Sequence, residues 1–477
     1  MKSLKKNYLY NIIYQMLLLM IPLITTPYVS RILGAEGVGS YSYTCTIAKY
    51  FVLAAMLGVQ NYGNRSIAAV RENRASLERV FSEIFCLQCI CASLASLLYF
   101  FFVFHMLSET YRLTGLIQGL YVLSALPDIS WFYFGLEEFR LTVTRNIFIK
   151  LISLVGIFLF VRTSEDLWIY TLLIASGTLC SNICLWFFIK GYVRLRLPQF
   201  RDILKHLKPE LLLFVPVIAV SMYKMMDKVM LEALSGVIQV GYYDSAEKII
   251  NIPMGLITAL GTVMLPRMSH LAAAGDEKKS RTYLSASLLF TSFLASGLCF
   301  GIVGTASELV PLFFGREYLD CIPLLIGLAP SVCFISWANV LRTQYLIPRH
   351  QDRSYTRSVL LGALINMVLN VLLIPGYQGK GAVIATLCAE AAVCICQTVS
   401  TSGQISVLRE LLRCLPFYVN GVLMFLFIRL LAQLQLPAEW KLILEITAGG
   451  AVYVLLSALF IILLKFRLKL KLFEVKN

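Results

Sequence analysis

Charge is scarce in this sequence. Of 477 residues only 14% are Asp, Glu, Lys or Arg, and there are four histidines. A soluble domain carries about a quarter of its residues as charges, so an ordinary water-exposed surface is excluded. His105, His206, His270 and His350 are dispersed, with no HExxH pair, and neither a GxSxG elbow nor a GxxxxGK[ST] phosphate loop occurs. The nearest approach, GYQGKGA at 376–382, has the wrong spacing, so the chain is not expected to hydrolyse ATP. Long polar loops are also missing. Each outer loop is about ten residues, shorter than loops that usually carry chemistry, which disfavours a membrane polymerase or other enzyme; no cofactor is expected. Strict two-residue alternation is absent too, which excludes a membrane β-barrel.

What is present is apolar: 58% of residues are hydrophobic and mean hydropathy is +0.75. Crossing a bilayer as a helix takes roughly 20 apolar residues. By that rule about fourteen spans are expected, near 9–30, 39–61, 80–104, 113–134, 146–162, 167–189, 209–230, 241–265, 284–307, 320–344, 358–375, 381–402, 416–435 and 442–464. The predicted fold class is an all-α polytopic membrane protein. The first run follows Lys2, Lys5 and Lys6 and contains Pro22 and Pro27, with no small-x-small cleavage pattern after it, so it reads as a span and not a signal peptide. Most of the thirteen cysteines fall inside apolar runs without His or Asp companions, where Cys serves as a small hydrophobic residue and not a metal ligand.

The net charge of +15 could suggest nucleic acid, but its distribution points to topology. With the amino terminus inside, the segments read as cytoplasmic hold 30 of the 42 Lys and Arg residues. The opposite loops hold six: Arg31, Arg112, Arg162, Arg316, Lys380 and Lys441. Positive residues favour the cytoplasmic side, so both termini are expected there.

An internal repeat is legible. RILGAEGVGSYSY after the first span resembles EALSGVIQVGYYDSA after the seventh, aligning Gly39 with Gly241, and Arg65 meets Arg267 at the same offset. Later matches drift, aligning Arg145 with Arg357. Six spans return a chain to its starting side, so two such copies form a parallel repeat. The expected organisation is a six-helix lobe at 1–208, a second at 209–403, and two additional helices with a basic tail at 404–477.

With those 36 Lys and Arg residues set aside, six basic residues remain within the spans: Lys49, Lys224, Lys228, Lys248, Arg342 and Arg429. In SMYKMMDKVML (221–231), Lys224, Asp227 and Lys228 share one helical face at i, i+3, i+4. Ionisable groups at membrane depth face a protein interior or a wet cavity. One expectation is structural pairing between helices. The other is a cavity between the halves, in which Lys49, Lys224, Lys228, Lys248 and Arg342 hold an anion such as pyrophosphate, while Asp227 keeps its lysines in register. Tyr41, Tyr43, Tyr242 and Tyr243 suit either a sugar-binding mouth or an interfacial aromatic belt. Asp128, Glu247 and Glu390 are candidates for ion coupling.

Three stretches, TTPYVSRILGAEGVGSYSY, DISWFYFGLEEFRLTVTRNIFIKLIS and DKVMLEALSGVIQVGYYDSAEKIINIP, resemble the Wzx-type oligosaccharide flippases of polysaccharide biosynthesis. These belong to the multidrug/oligosaccharidyl-lipid/polysaccharide exporter superfamily. The resemblance covers nearly the whole chain. It implies a V-shaped pair of six-helix lobes working by alternating access in a bacterial cytoplasmic membrane, coupled to an ion gradient. The implied substrate is a polyprenyl-pyrophosphate-linked oligosaccharide for capsule, O-antigen or other surface polysaccharide. Surrounding lipids, a polysaccharide polymerase and glycosyltransferases are the implied partners, with no nucleic acid. The family pattern points to Arg31 and the Asp227-Lys228 pair towards the outer ends of the lobes and to Arg65 and Arg267 at the inner ends. Alternatives are a lipid II or teichoic-acid precursor exporter, a cation-coupled multidrug exporter, or a glycan polymerase. The first span lacks the acid of cation-coupled drug exporters, offering only Asn11 and Gln15.

Overall fold

The structure is a computed structural model that describes residues 2–403 and 406–474, with side chains for 20–138, 140–212, 214, 218, 221, 225–403 and 406–462. Every regular element among them is helical, as hydrocarbon demands of a spanning chain without a closed barrel. The chain divides into two compact units, Met1–Gly241 and Tyr242–Asn477. The boundary expected at 208/209 rests on the sequence repeat, whereas this division comes from packing, which leaves the seventh apolar segment with the first unit.

The first unit contains α1 (Lys2–Met56), α2 (Val59–Val70), α3 (Arg74–His105), α4 (Glu109–Leu123), α5 (Ser130–Gly135), α6 (Phe139–Phe160), α7 (Leu167–Cys184) and α8 (Phe200–Ser235). The start of α9 (Val237–Ala273) also belongs to it. In the second unit α9 continues, followed by α10 (Glu277–Phe313), α11 (Cys321–Leu328), α12 (Ser331–Leu341), α13 (Asp352–Tyr377), α14 (Gly379–Thr401), α15 (Val407–Leu431) and α16 (Ala438–Glu474).

All fourteen expected spans coincide with helix. Eleven helical stretches among the described residues are long and apolar enough to cross a membrane. The first, Met20–Val70, holds parts of two expected spans, because α1 is two helices meeting at Gly34, whose φ of 65° a side chain would strain. The expected span 113–134 is broken between α4 and α5. Segment 209–230 lies on α8, where many side chains fall outside the described residues.

The α4–α5 break shows how the fold tolerates irregular backbone at depth. Gln88 of α3, fully buried, donates from Nε2 to the Ala125 and Asp128 carbonyls at 2.7 and 2.8 Å. Asn182 of α7 donates to the Ser124 carbonyl at 2.9 Å, and Trp186 to that of Pro127 at 2.9 Å. The carbonyls of Ser124, Ala125, Pro127 and Asp128 thus have side-chain donors in place of water. Trp131, Phe132 and Tyr133, all without exposed surface, anchor the break in an aromatic core with Phe81, and Trp131 Nε1 donates to Gln88 Oε1 at 2.8 Å.

Backbones approach most closely where α1 meets α9. A Cβ on Gly39 would overlap the Val237 carbonyl, and one on Gly241 would overlap the Ala35 carbonyl. The contact is reciprocal under the 202-residue offset of the repeat, since Ala35 corresponds to Val237 and Gly39 to Gly241. Small residues four apart let membrane helices pack backbone to backbone.

In the second unit α15 and α16 pack on α10: Ser296 donates to the Phe417 carbonyl at 2.8 Å and Tyr453 to that of Phe293 at 2.6 Å. Leu97, Phe101, Phe148, Leu372 and Leu455 point outward, an arrangement suited to lipid. Replacing Gly39 or Gly241 by Val should abolish monodisperse elution of the detergent-solubilised protein. Gly450→Val, at a site with nothing within 4 Å, should elute normally in the same size-exclusion experiment.

Candidate functional site

A cavity of about 470 Å³ lies inside the first unit, between α1, the α4–α5 break, α6 and α7. On α6 the lining positions 145, 146, 149, 150, 153, 154 and 157 form one helical stripe. This stripe carries Arg145, Asn146, Lys150 and Ser153. Arg145 is fixed in place: Nη1 donates to the Ser181 carbonyl at 2.7 Å and Nη2 to Asn146 Oδ1 at 2.9 Å, while Ser181 Oγ reaches the same amide oxygen at 3.0 Å. Lys150 lies five residues, roughly 7.5 Å, further along the axis. Its side chain is exposed to the cavity, and it makes no ion pair with a described residue. Tyr121, Tyr170, Thr178 and Asn182 add rings, a hydroxyl and an amide. Chemically this is a fixed guanidinium and a mobile ammonium above uncharged donors, which suits a phosphorylated, hydroxyl-rich ligand.

Broken helices often line substrate sites in membrane transporters, and here the break contributes Ser124, Asp128 and Ser130 to the wall. Asp128, a coupling candidate on sequence grounds, accepts from the Ser130 backbone N–H at 2.9 Å and from Gln60 Nε2 at 3.1 Å. It therefore starts α5 as well as facing the cavity.

The other sequence candidates are distributed over both units. In the first, Arg31, Lys49 and Arg65 are exposed, Asp227 is buried close to Tyr50, and Lys228 is half-buried. Lys224 lies outside the residues whose side chains are described. Tyr41 packs edge-on against Tyr170 at 4.7 Å and Tyr43 against Tyr111 at 5.1 Å. In the second unit, Lys248 pairs with Asp244 one turn earlier at 2.7 Å. Arg342 donates to Asn339 Oδ1 at 2.7 Å, and its guanidinium lies 5.8 Å from the Tyr355 ring centre. Arg267 stacks 4.6 Å over Tyr283 and bonds its hydroxyl. Tyr242 donates to the Glu317 carbonyl at 3.1 Å, Tyr243 meets Thr386 Oγ1 at 2.9 Å, and Glu247 and Glu390 are half-buried. The second unit also has a groove of about 700 Å³ lined almost entirely by apolar side chains, among them Phe300, Phe334, Tyr418 and Phe425.

Sequence reasoning missed Lys150 and Arg145 as site residues. Lys150 counts among the basic residues credited to inner segments, although it falls inside the fifth apolar run as placed, 146–162. The helix begins at Phe139, which puts Lys150 near its middle. The signal that could have found it is the polar set Asn146, Lys150, Ser153 recurring at helical spacing within an apolar run.

The family described as "Polysaccharide biosynthesis protein" matches residues 4–272, more than half of the chain. The chain belongs to this family. It is similar to an Escherichia coli (strain K12) protein described as "Putative O-antigen transporter", 22% identical over 396 residues, covering 82% of this chain and 95% of that protein. Among solved structures it resembles "Lipid II flippase MurJ, inward closed conformation", with a TM-score of 0.76 and 14% identity over 95% of this chain and 98% of the other. An inward-facing multidrug resistance MATE family transporter gives a TM-score of 0.62 at 14% identity, covering 84% of this chain and 99% of that one. At such identities the structural likeness establishes the fold, that of a multi-pass membrane protein. A Lys150→Cys variant should react with a membrane-impermeant maleimide above the labelling of the native cysteines. Phe148→Cys, on the outward face of the same helix, should not.

Proposed function

We propose that this protein is a flippase that carries polyprenyl-pyrophosphate-linked oligosaccharide repeat units across the bacterial cytoplasmic membrane for capsular or other surface polysaccharide synthesis. The observation that carries this reading is Lys150, which has no ion pair among the described residues, on the same stripe as the anchored Arg145, in a cavity walled by helices that otherwise face lipid. An unpaired cation at that depth is costly and is usually retained for an anionic ligand or an ion path. Family membership and the similarity to the E. coli O-antigen transporter homologue favour a glycan-bearing lipid as that ligand. The apolar groove of the second unit has the character to take a prenyl chain.

Both termini lie on the cytoplasmic side in this reading, and the two repeated halves exchange access to the two faces of the membrane. Transport by such an exchange needs no covalent step, so the protein is not an enzyme; glycosyltransferases supply its substrate and a polymerase consumes the product. A ligand shifts the equilibrium between the two forms only by its difference in affinity for them. Lys248 and Arg342 already have protein partners, so in this packing they serve structure more than the headgroup. A second reading, export of lipid II, is favoured by the MurJ-like fold and shares the pyrophosphate.

Reconstitution in sealed liposomes tests both. A fluorescent polyprenyl-pyrophosphate oligosaccharide is expected to move between leaflets without ATP, faster than lipid II. Replacing Arg145 and Lys150 together by Gln should slow it at least tenfold, given roughly 1.5–3 kcal/mol per hydrogen bond to a charged group. Movement of lipid II alone would transfer the assignment to the second reading, and movement of neither lipid would reject both.

A further inference from the structure

One buried acid has no part in the cavity described above. Glu210, about three turns into α8, has 0% of its surface exposed, and neither carboxylate oxygen has a hydrogen-bond partner among the described residues. One turn earlier on the same helix, His206 is held in a chain of side-chain bonds. Its Nε2 lies 2.9 Å from Glu83 Oε2, its Nδ1 lies 2.7 Å from the Tyr62 hydroxyl, and Arg79 Nε donates to Glu83 Oε1 at 2.9 Å. Arg79 is well exposed at the inner end of the unit, so the chain leads from solvent through Glu83 and His206 to Tyr62. Tyr62 and Cys91 are the ionisable neighbours of Glu210.

We propose that Glu210 is a proton-binding site, supplied through Glu83, His206 and Tyr62, whose occupancy is linked to movement of α8. An ionised carboxylate without a hydrogen bond or counter-charge costs several kcal/mol in a low-dielectric interior, and protonation removes most of that cost. The packing seen here therefore suits the neutral acid. A proton from water forms the O–H bond on a Glu210 oxygen; its release needs water or a cation beside the carboxylate, and hence a different packing around α8. Two conformations with different proton affinity are what coupling requires.

Among the described residues, the surroundings contain no rival that would hold Glu210 ionised. The helices α1, α2 and α3 all pack on α8. From α2 the charged group is Arg65, which is exposed, and the titratable one is Tyr62. From α3, Glu83 is engaged as described, and Glu78 pairs with Arg196 at 2.7 Å and with Arg74 at 3.4 Å. From α1, Tyr50 and Tyr43 lie towards Asp227 and Glu232, about 25 Å or more further along α8 by its axial rise. On α8 itself, Asp202 pairs with Lys205, and Lys208 is exposed. The carboxyl group of Asp202, outside the membrane run, is held below its usual range by that lysine.

The proposal rests on the flippase reading for its link to transport, so the test has one arm that does not. Infrared difference spectra of the purified full-length protein should show a protonated-carboxyl band near neutral pH that disappears in Glu210→Gln and persists in Asp128→Asn. Absence of such a band overturns the site. In liposomes, the ratio of oligosaccharide-lipid movement with a pH gradient to movement without one should exceed unity for the natural protein. It should fall to unity in Glu210→Gln, with partial recovery in Glu210→Asp and an intermediate value in His206→Gln. A Gln variant that keeps the full gradient response overturns the coupling. A titrating carboxyl in a protein that moves no lipid would support the proton site while rejecting the flippase reading.

Discussion

The close crossing of α1 and α9 at Gly39 and Gly241 is the contact on which the rest of the first unit depends. Lipid offers no hydrophobic drive for helix association, so affinity there comes from backbones that approach closely and fit. At this crossing each glycine lies against the other helix's carbonyl, and any side chain would separate them. The crossing fixes where the second half of α1 runs. With it are placed Tyr41 and Tyr43, whose rings meet α7 and α4, and Tyr50, beside Asp227.

A second constraint governs the interior. Wherever the backbone leaves the helical ladder at depth, a side chain must replace the lost partner. Gln88, Asn182 and Trp186 do this around the α4–α5 break, and the cost of the irregularity is offset by their hydrogen bonds. Because of the break, one wall of the cavity is polar, and opposite it α6 presents Arg145 and Lys150. The aromatic stretch 131–133, a prominent part of the family resemblance, thus serves as the buried anchor of this arrangement and does not line the cavity.

Charges in the molecule fall into two populations with different physics. Glu78, Glu83, Lys248 and Arg342 are satisfied by neighbours, and their pairing tells how helices are tied together. Lys150 and Glu210 are not satisfied by any described residue, and they have opposite sign and different surroundings. An ammonium in a wet, open cavity can wait for an anion, whereas a carboxyl in a closed apolar site is best served by a proton.

The sequence by itself determined the solvent and the architecture. The apolar runs read as helices in lipid, and the bias of Lys and Arg gives them an expected orientation, because both effects are sums over many residues and survive errors at any one. It also contained the 202-residue offset that aligns Gly39 with Gly241. Tertiary structure alone decided which ionisable groups are free to act. Lys248 was legible as a buried cation, but not its partner Asp244. Lys150 lies inside the fifth expected span yet counts towards the inner charge, and Glu210 stands at the start of the seventh with nothing in the sequence to mark it as unpaired. Composition fixes how much charge a membrane chain must accommodate. Whether a given charge is paired, wet or dry depends on atoms distant in sequence, and only packing brings those together.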